Sequence, residues 1–121
     1  GVTPQLMAQV FAAATGYEMS GESLMEAGRR IVTLEKCINV REGATREHDV
    51  LPWRMMHERS PDRSDPDAIN SPEELTRMLD EYYTLHGWDL ETSWPLEDTL
   101  RKLRLGKVAD ELAAMGRLVA R

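Results

Sequence analysis

The stretch Ser71-Pro72-Glu73-Glu74-Leu75-Thr76-Arg77-Met78-Leu79-Asp80-Glu81-Tyr82-Tyr83-Thr84-Leu85-His86-Gly87 decides the fold class, because it reads as a helix from end to end. Ser71 is an N-cap and Pro72 takes the first helical position, where its missing N–H costs nothing. Glu74, three residues after the cap, completes the capping-box pattern, and both glutamates face the positive end of the helix. Leu75, Met78, Leu79, Tyr82 and Tyr83 cover one broad face, and Glu73 is spaced for an i,i+4 ion pair with Arg77. Gly87 stops the helix just before Trp88.

Working outward, the same grammar recurs. Thr3 caps a first helix with Pro4 at its first position, Leu6, Met7, Val10, Phe11 and Ala14 share one face, and Gly16 ends it. Ser20 opens a second helix that runs to about Cys37 or Ile38, with Leu24, Ala27, Ile31, Leu34 and Ile38 as its apolar stripe. Gly28 in its middle costs about 1 kcal/mol relative to Ala, which predicts a close backbone approach there. The adjacent Arg29 and Arg30 read as a solvated edge. Beyond Trp94 and Pro95, Leu96, Leu100 and Leu103 mark a short helix ending near Gly106, and Val108, Leu112, Met115 and Leu118 mark a last one. Residues 39–49 are densely polar without a helical stripe, and 60–70 form a loop around Pro61 and Pro66. No alternating strand of useful length occurs. The expectation is an all-α, compact orthogonal helical domain of about five helices with two irregular connections, covering residues 1–121 as one unit.

Size and charge narrow the classes. A 13.8 kDa chain of 121 residues folds to an area of roughly 6,600 Å² against about 20,000 Å² extended, enough for one core. No apolar run approaches the ~18–20 residues of a membrane helix, and the N-terminus lacks a signal-peptide layout, so no membrane partner and a cytoplasmic location are expected. A net charge of −6 argues against nucleic acid as a partner. Residues 73–91 are acidic and 101–121 basic, read here as mutual attraction within the fold. The lone Cys37 excludes an internal disulfide and any all-cysteine metal site made by one chain. The opening Gly1-Val2-Thr3-Pro4, without an initiator Met, reads as trimmed or cut from something longer.

Candidate chemistry is sparse. There is no glycine-rich phosphate loop, H-E-x-x-H, C-x-x-C or G-x-S-x-G. Asp62, Asp65 and Asp67 share a loop, but Pro66 interrupts it and a calcium loop's glycine and closing glutamate are missing. His48, His57 and His86 match no local metal spacing and read as structural or surface histidines. Cys37 reads as a buried small hydrophobe. Arg41, Glu42, Arg46, Glu47, His48 and Asp49 carry two readings, as acid–base or anion-binding groups or as ion pairs and turn hydrogen bonds fastening a loop. Composition favours the second.

Several segments, taken in order, resemble a known family. Thr15-Gly16-Tyr17, Gly28-Arg29-Arg30-Ile31 and Leu34-Glu35-Lys36-Cys37-Ile38-Asn39-Val40-Arg41-Glu42-Gly43 lead into Arg46-Glu47-His48-Asp49-Val50-Leu51-Pro52. Met78-Leu79-Asp80-Glu81-Tyr82-Tyr83-Thr84-Leu85-His86-Gly87-Trp88-Asp89 follows, then Pro95, Leu100, Leu103 and Leu105-Gly106. Together, over about residues 15–108, they resemble the C-terminal region of the tungsten-pterin aldehyde ferredoxin oxidoreductases. The chain departs from the family pattern at Cys37 and Ile38, where an aromatic-Asn step is usual, at His86 for Arg, at Trp94 for Gly, and in its last dozen residues.

The resemblance implies a parent that oxidises aldehydes to carboxylic acids through a tungsten (or molybdenum) bis-pterin and a [4Fe–4S] cluster, with ferredoxin as electron acceptor. It places the cluster cysteines, a C-x-x-C-x-x-x-C run and a fourth cysteine, upstream of residue 1, and Cys37 does not match them. This region is then expected to hold no catalytic, cofactor-binding or metal-ligating residue, to be inactive alone, and to have the N-terminal cofactor-binding domains of the same enzyme as its partner. Asn39, Arg41, Glu42 and Arg46, on the longest polar turn, are the residues expected nearest that interface or the substrate channel. The competing reading is a free-standing helical interaction module gripping a protein through Trp53, Met55, Met56 and Trp88.

Overall fold

The computed structural model describes residues 1–59 and 69–120. The predicted loop with Pro61, Pro66, Asp62, Asp65 and Asp67 lies mostly outside the described residues. Among the described residues six α-helices follow one another: α1 (Pro4–Thr15), α2 (Gly21–Arg41), α3 (Trp53–His57), α4 (Pro72–His86), α5 (Glu97–Lys102) and α6 (Gly106–Ala114), with one 3-10 turn at Arg46–His48. Among the described residues the only β-type pairings are isolated bridges, Trp88 with Pro95 and Leu96 with Val119. The all-α expectation holds.

The caps form where local chemistry predicts them. The Thr3, Ser20 and Ser71 hydroxyls accept from the backbone N–H of Leu6, Ser23 and Glu74 at 3.2, 3.1 and 3.1 Å. Gly16 and Gly87 end α1 and α4 in the left-handed conformation, at φ 75° and 68°. At Gly87 a Cβ would sit 2.2 Å from Thr99 Oγ1, and that hydroxyl donates to the Gly87 carbonyl at 2.8 Å. The position is closed to side chains both by its backbone and by its neighbour.

Other boundaries differ from expectation. α2 continues to Arg41 because fully buried Val40 draws its last turn onto the core, so Asn39 and Arg41 are helical. Arg117 Nη1 donates to the carbonyls of Val40 (2.8 Å) and Arg41, satisfying the open end of that helix. A short α3 appears in a stretch to which the sequence reading assigns no element, with Arg54 and Glu58 paired at 2.6 Å one turn apart. Gly106 is the first residue of α6 and not a stop; Arg104 makes the left-handed turn, at φ 60°. Arg77 reaches Glu81 (3.2 Å) and Glu74 (3.6 Å) instead of the expected Glu73. The basic stretch after residue 100 also pairs close to home: Arg101 with Glu97 and Asp110, Lys102 with Asp98, while Arg104 reaches Glu26.

The core is built from the second half of α2 and from α5 and α6: Cys37, Val40, Leu100, Leu103, Leu105, Ala109 and Leu112, with Trp94, Val108 and Leu118 against it. The buried face of α2 is Thr33, Lys36, Cys37 and Val40. Its expected stripe lies beside that face, with Ile31, Leu34 and Ile38 exposed. Gly28 meets nothing within 4 Å; the close approach is at Gly21, where a Cβ would lie 3.0 Å from the Gln5 nitrogen. There α2 begins against the start of α1, and Ala8 is the one buried residue of α1.

Candidate functional site

Three stretches far apart in sequence meet beside the core: the end of α2 with the turn after it, α4, and the loop 88–95. The turn 42–45 leads Arg46 and Asp49 toward α4, and the 3-10 turn is tightened where the Thr45 backbone N–H donates to His48 Nδ1 at 3.1 Å. Arg46 Nη1 pairs with Asp80 Oδ1 at 2.6 Å and donates to the Leu90 carbonyl at 2.5 Å. Its guanidinium lies 5.2 Å from the centre of the Tyr83 ring, a cation–π contact. Asp49 Oδ2 accepts from the Tyr83 hydroxyl at 2.5 Å and from Lys36 Nζ at 3.0 Å. Lys36 is buried, its ammonium 5.3 Å from the Trp88 ring centre.

The loop 88–95 is wound around Asp89, whose Oδ2 accepts from the backbone N–H of Thr92 (2.9 Å) and Glu91 (3.2 Å) and from the Thr92 hydroxyl (2.8 Å). Two long-range bonds zip it to the turn: the Arg46 backbone N–H donates to the Thr92 carbonyl at 2.9 Å, and Trp94 Nε1 to the Ala44 carbonyl at 3.0 Å. Ser93, fully buried, takes φ 64° to make the bend. The Arg46-to-Pro52 and Met78-to-Asp89 segments singled out from sequence are thus two halves of one polar knot.

Electrostatics shows what the knot can do. Burial pushes the Asp49 carboxyl up, but the Tyr83 hydroxyl and the Lys36 ammonium outweigh it and hold the group below the usual carboxylate range. Burial, then the hydrogen bond and charge of Asp49, push the Tyr83 phenol well up. A carboxylate with both partners on one oxygen and a phenol that keeps its proton are not poised for proton transfer near neutrality. The loop-fastening reading of Arg46, His48 and Asp49 is the one the geometry supports. Beside the knot an open groove of about 410 Å³ is bordered by Asn39, His48, Leu51, Leu79 and Tyr82.

The four residues expected at an interface separate. Arg46 is committed inward, whereas Asn39, Arg41 and Glu42 are exposed at the end of α2, the last two paired at 3.1 Å. The proposed gripping patch separates as well: Trp53 is 65% exposed and stacks on His57 at 4.7 Å, but Trp88 is 6% exposed and packed among Tyr82, Tyr83 and His86. Burial, then the charge of Arg29, holds His86 below the ordinary imidazole value. Sequence reasoning missed Lys36, Asp80 and Tyr83 as partners of the turn; the signal available was their place inside the quoted segments.

The residues here do not fit the metal groups the resemblance implies. Among the described residues no three His, Cys, Asp or Glu side chains stand close enough to share an ion. Cys37 is buried in the apolar core, its thiol pushed up to about 11 by burial, which disfavours the thiolate a metal needs. No described helix is long and apolar enough to cross a membrane.

Residues 1–105 match the family model for aldehyde ferredoxin oxidoreductase, domains 2 & 3, so α1 belongs to the matched region as well. Tungsten-containing aldehyde ferredoxin oxidoreductases of Pyrococcus abyssi and Pyrococcus horikoshii are 32% and 31% identical over 94 residues, which is 77% of this chain and 15% of each relative. Among solved structures, the active site complex BamBC of benzoyl coenzyme A reductase with 1,5 dienoyl-CoA superposes at a TM-score of 0.78 with 32% identity, over 98% of this chain and 16% of that one. The chain thus spans about a sixth of the length of the proteins it matches. On the family match and these identities, the chain belongs to the aldehyde ferredoxin oxidoreductase family, within the region of domains 2 and 3.

Proposed function

We propose that this chain is the C-terminal helical region of a tungsten-pterin oxidoreductase, and that its own work is structural: it closes over the cofactor-binding remainder of the enzyme. The observation that carries this is the family match over residues 1–105. The whole enzyme would convert an aldehyde and water to a carboxylate, releasing three protons and two electrons, with ferredoxin as the acceptor. The tungsten bis-pterin and the [4Fe–4S] cluster supply the redox chemistry and belong to the remainder of the polypeptide. In this region Arg46, Asp49 and Tyr83 hold the turn in place, and the exposed Asn39, Arg41 and Glu42 form the polar edge that walls the substrate channel.

The likeness to a benzoyl coenzyme A reductase complex, at the same identity as the aldehyde enzymes, supports a second substrate reading, an aromatic acyl-coenzyme A. Assaying the full-length enzyme on both substrate classes separates the two. The edge is tested by Arg41→Ala in that enzyme, which is expected to lower turnover or the bound tungsten and iron. Unchanged turnover together with unchanged metal content removes the channel-wall assignment.

A further inference from the structure

The helix α1 is built unlike a surface helix. None of its twelve residues, Pro4 to Thr15, is charged, yet only Ala8 is buried. Leu6, Met7, Val10 and Phe11 are 46%, 52%, 61% and 39% exposed, and Ala14 is exposed with them. At about 100° per residue these five fall within an arc of about 140°, with Ala12 opposite its middle and Ala8 beyond its Phe11 edge; Ala8 and Ala12 line an open groove with the chain's own Glu18–Ser20 segment. A helix finished by water keeps charges on its outer side, as α4 does with Glu73, Glu74, Arg77 and Glu81. An apolar strip of this kind marks an interface.

We propose that α1 is an interior helix of the intact enzyme, its Leu6–Met7–Val10–Phe11 side buried against an apolar surface of the same enzyme's remaining polypeptide. This rests on the reading above that the chain is one region of a larger oxidoreductase. The occupant follows from length and family: α1 lies inside the matched region, and about five-sixths of each matched protein lies outside the aligned stretch. The main attachment is then apolar and made by α1, while the polar edge at Asn39, Arg41 and Glu42 lies at the far end of α2 from Gly21.

The test uses the full-length enzyme carrying this sequence. Single cysteines are placed at Val10 (Val10→Cys), at Ala14 (Ala14→Cys, a smaller change on the same side) and at exposed Glu22 (Glu22→Cys) as a reference. Maleimide labelling at each site is followed by peptide mass spectrometry. Positions 10 and 14 are expected to label at least about tenfold more slowly than position 22, since reaction follows access. Labelling of either as fast as position 22, in enzyme that retains its metals and turnover, overturns the proposal alone. Slow labelling in an enzyme without tungsten or turnover on either substrate class supports it and breaks the functional reading instead. Shielding that disappears when the enzyme is diluted to single chains assigns the strip to a second copy and overturns the proposal.

Discussion

α1 and the polar knot are opposites in how they are held. α1 has the composition of a core helix and lies outside its own core, whereas Lys36, Arg46, Asp49 and Asp80 have the composition of a surface and are tied to one another. Unmet need is therefore located by apolar area and not by charge. The charges of the knot already have partners, whereas Leu6, Val10 and Phe11 remain 46%, 61% and 39% exposed.

The widest separation between the two regions should appear in core and strip truncations. Leu100 is fully buried, so Leu100→Ala is expected to cost about 2–5 kcal/mol, while Val10→Ala in the same chain should stay within about 0.5 kcal/mol. Urea denaturation of the chain reads both. Equal losses would mean that α1 is already packed within this chain, and the contrast would collapse.

The knot gives the next largest effect. Asp49→Asn removes the charge that Lys36 and Tyr83 share, with an expected loss of about 1–3 kcal/mol at neutral pH. The native carboxyl sits below its unfolded value, so its contribution is present above about pH 4 and fades as the pH falls through the native value. Denaturation midpoints from pH 6 down to pH 3 should therefore fall more steeply for the native chain than for Asp49→Asn. Parallel curves would remove Asp49 from the account.

The smallest effect separates two glycines of one helix. Gly28→Ala meets open space and should stabilise by about 0.5–1 kcal/mol, while Gly21→Ala presses a methyl against the Pro4–Gln5 backbone and should destabilise. Thermal melts of the pair give the sign of each. A stabilising Gly21→Ala would mean that α1 moves aside freely.

What could be read from sequence was local. Ser71, Gly16 and Gly87 announce their caps because capping acts over three or four residues. Gly28 points to a tight contact that lies at Gly21 instead, because periodicity places a glycine on a helix without saying what stands opposite. The stripe of α1 was legible as a stripe, but its pattern holds no record of which body it faces. The ties from Arg46 to Asp80 and from Asp49 to Tyr83 join residues 34 apart, and no local rule connects them; only the shared motif order hinted that both stretches mattered. Among the expected interface residues, Arg46 turned inward for the same reason.

The knot also bears on how the chain closes. Asp49 and Tyr83 fasten the two ends of the stretch between them, and the entropic cost of such a closure grows only with the logarithm of its length, about 0.6 kcal/mol per doubling. With its ends clamped, that stretch can lengthen or shorten from one relative to the next with little effect on the architecture. Variation in chain length across the family should therefore collect between α3 and α4, leaving the short turns 42–45 and 88–95 constant in size.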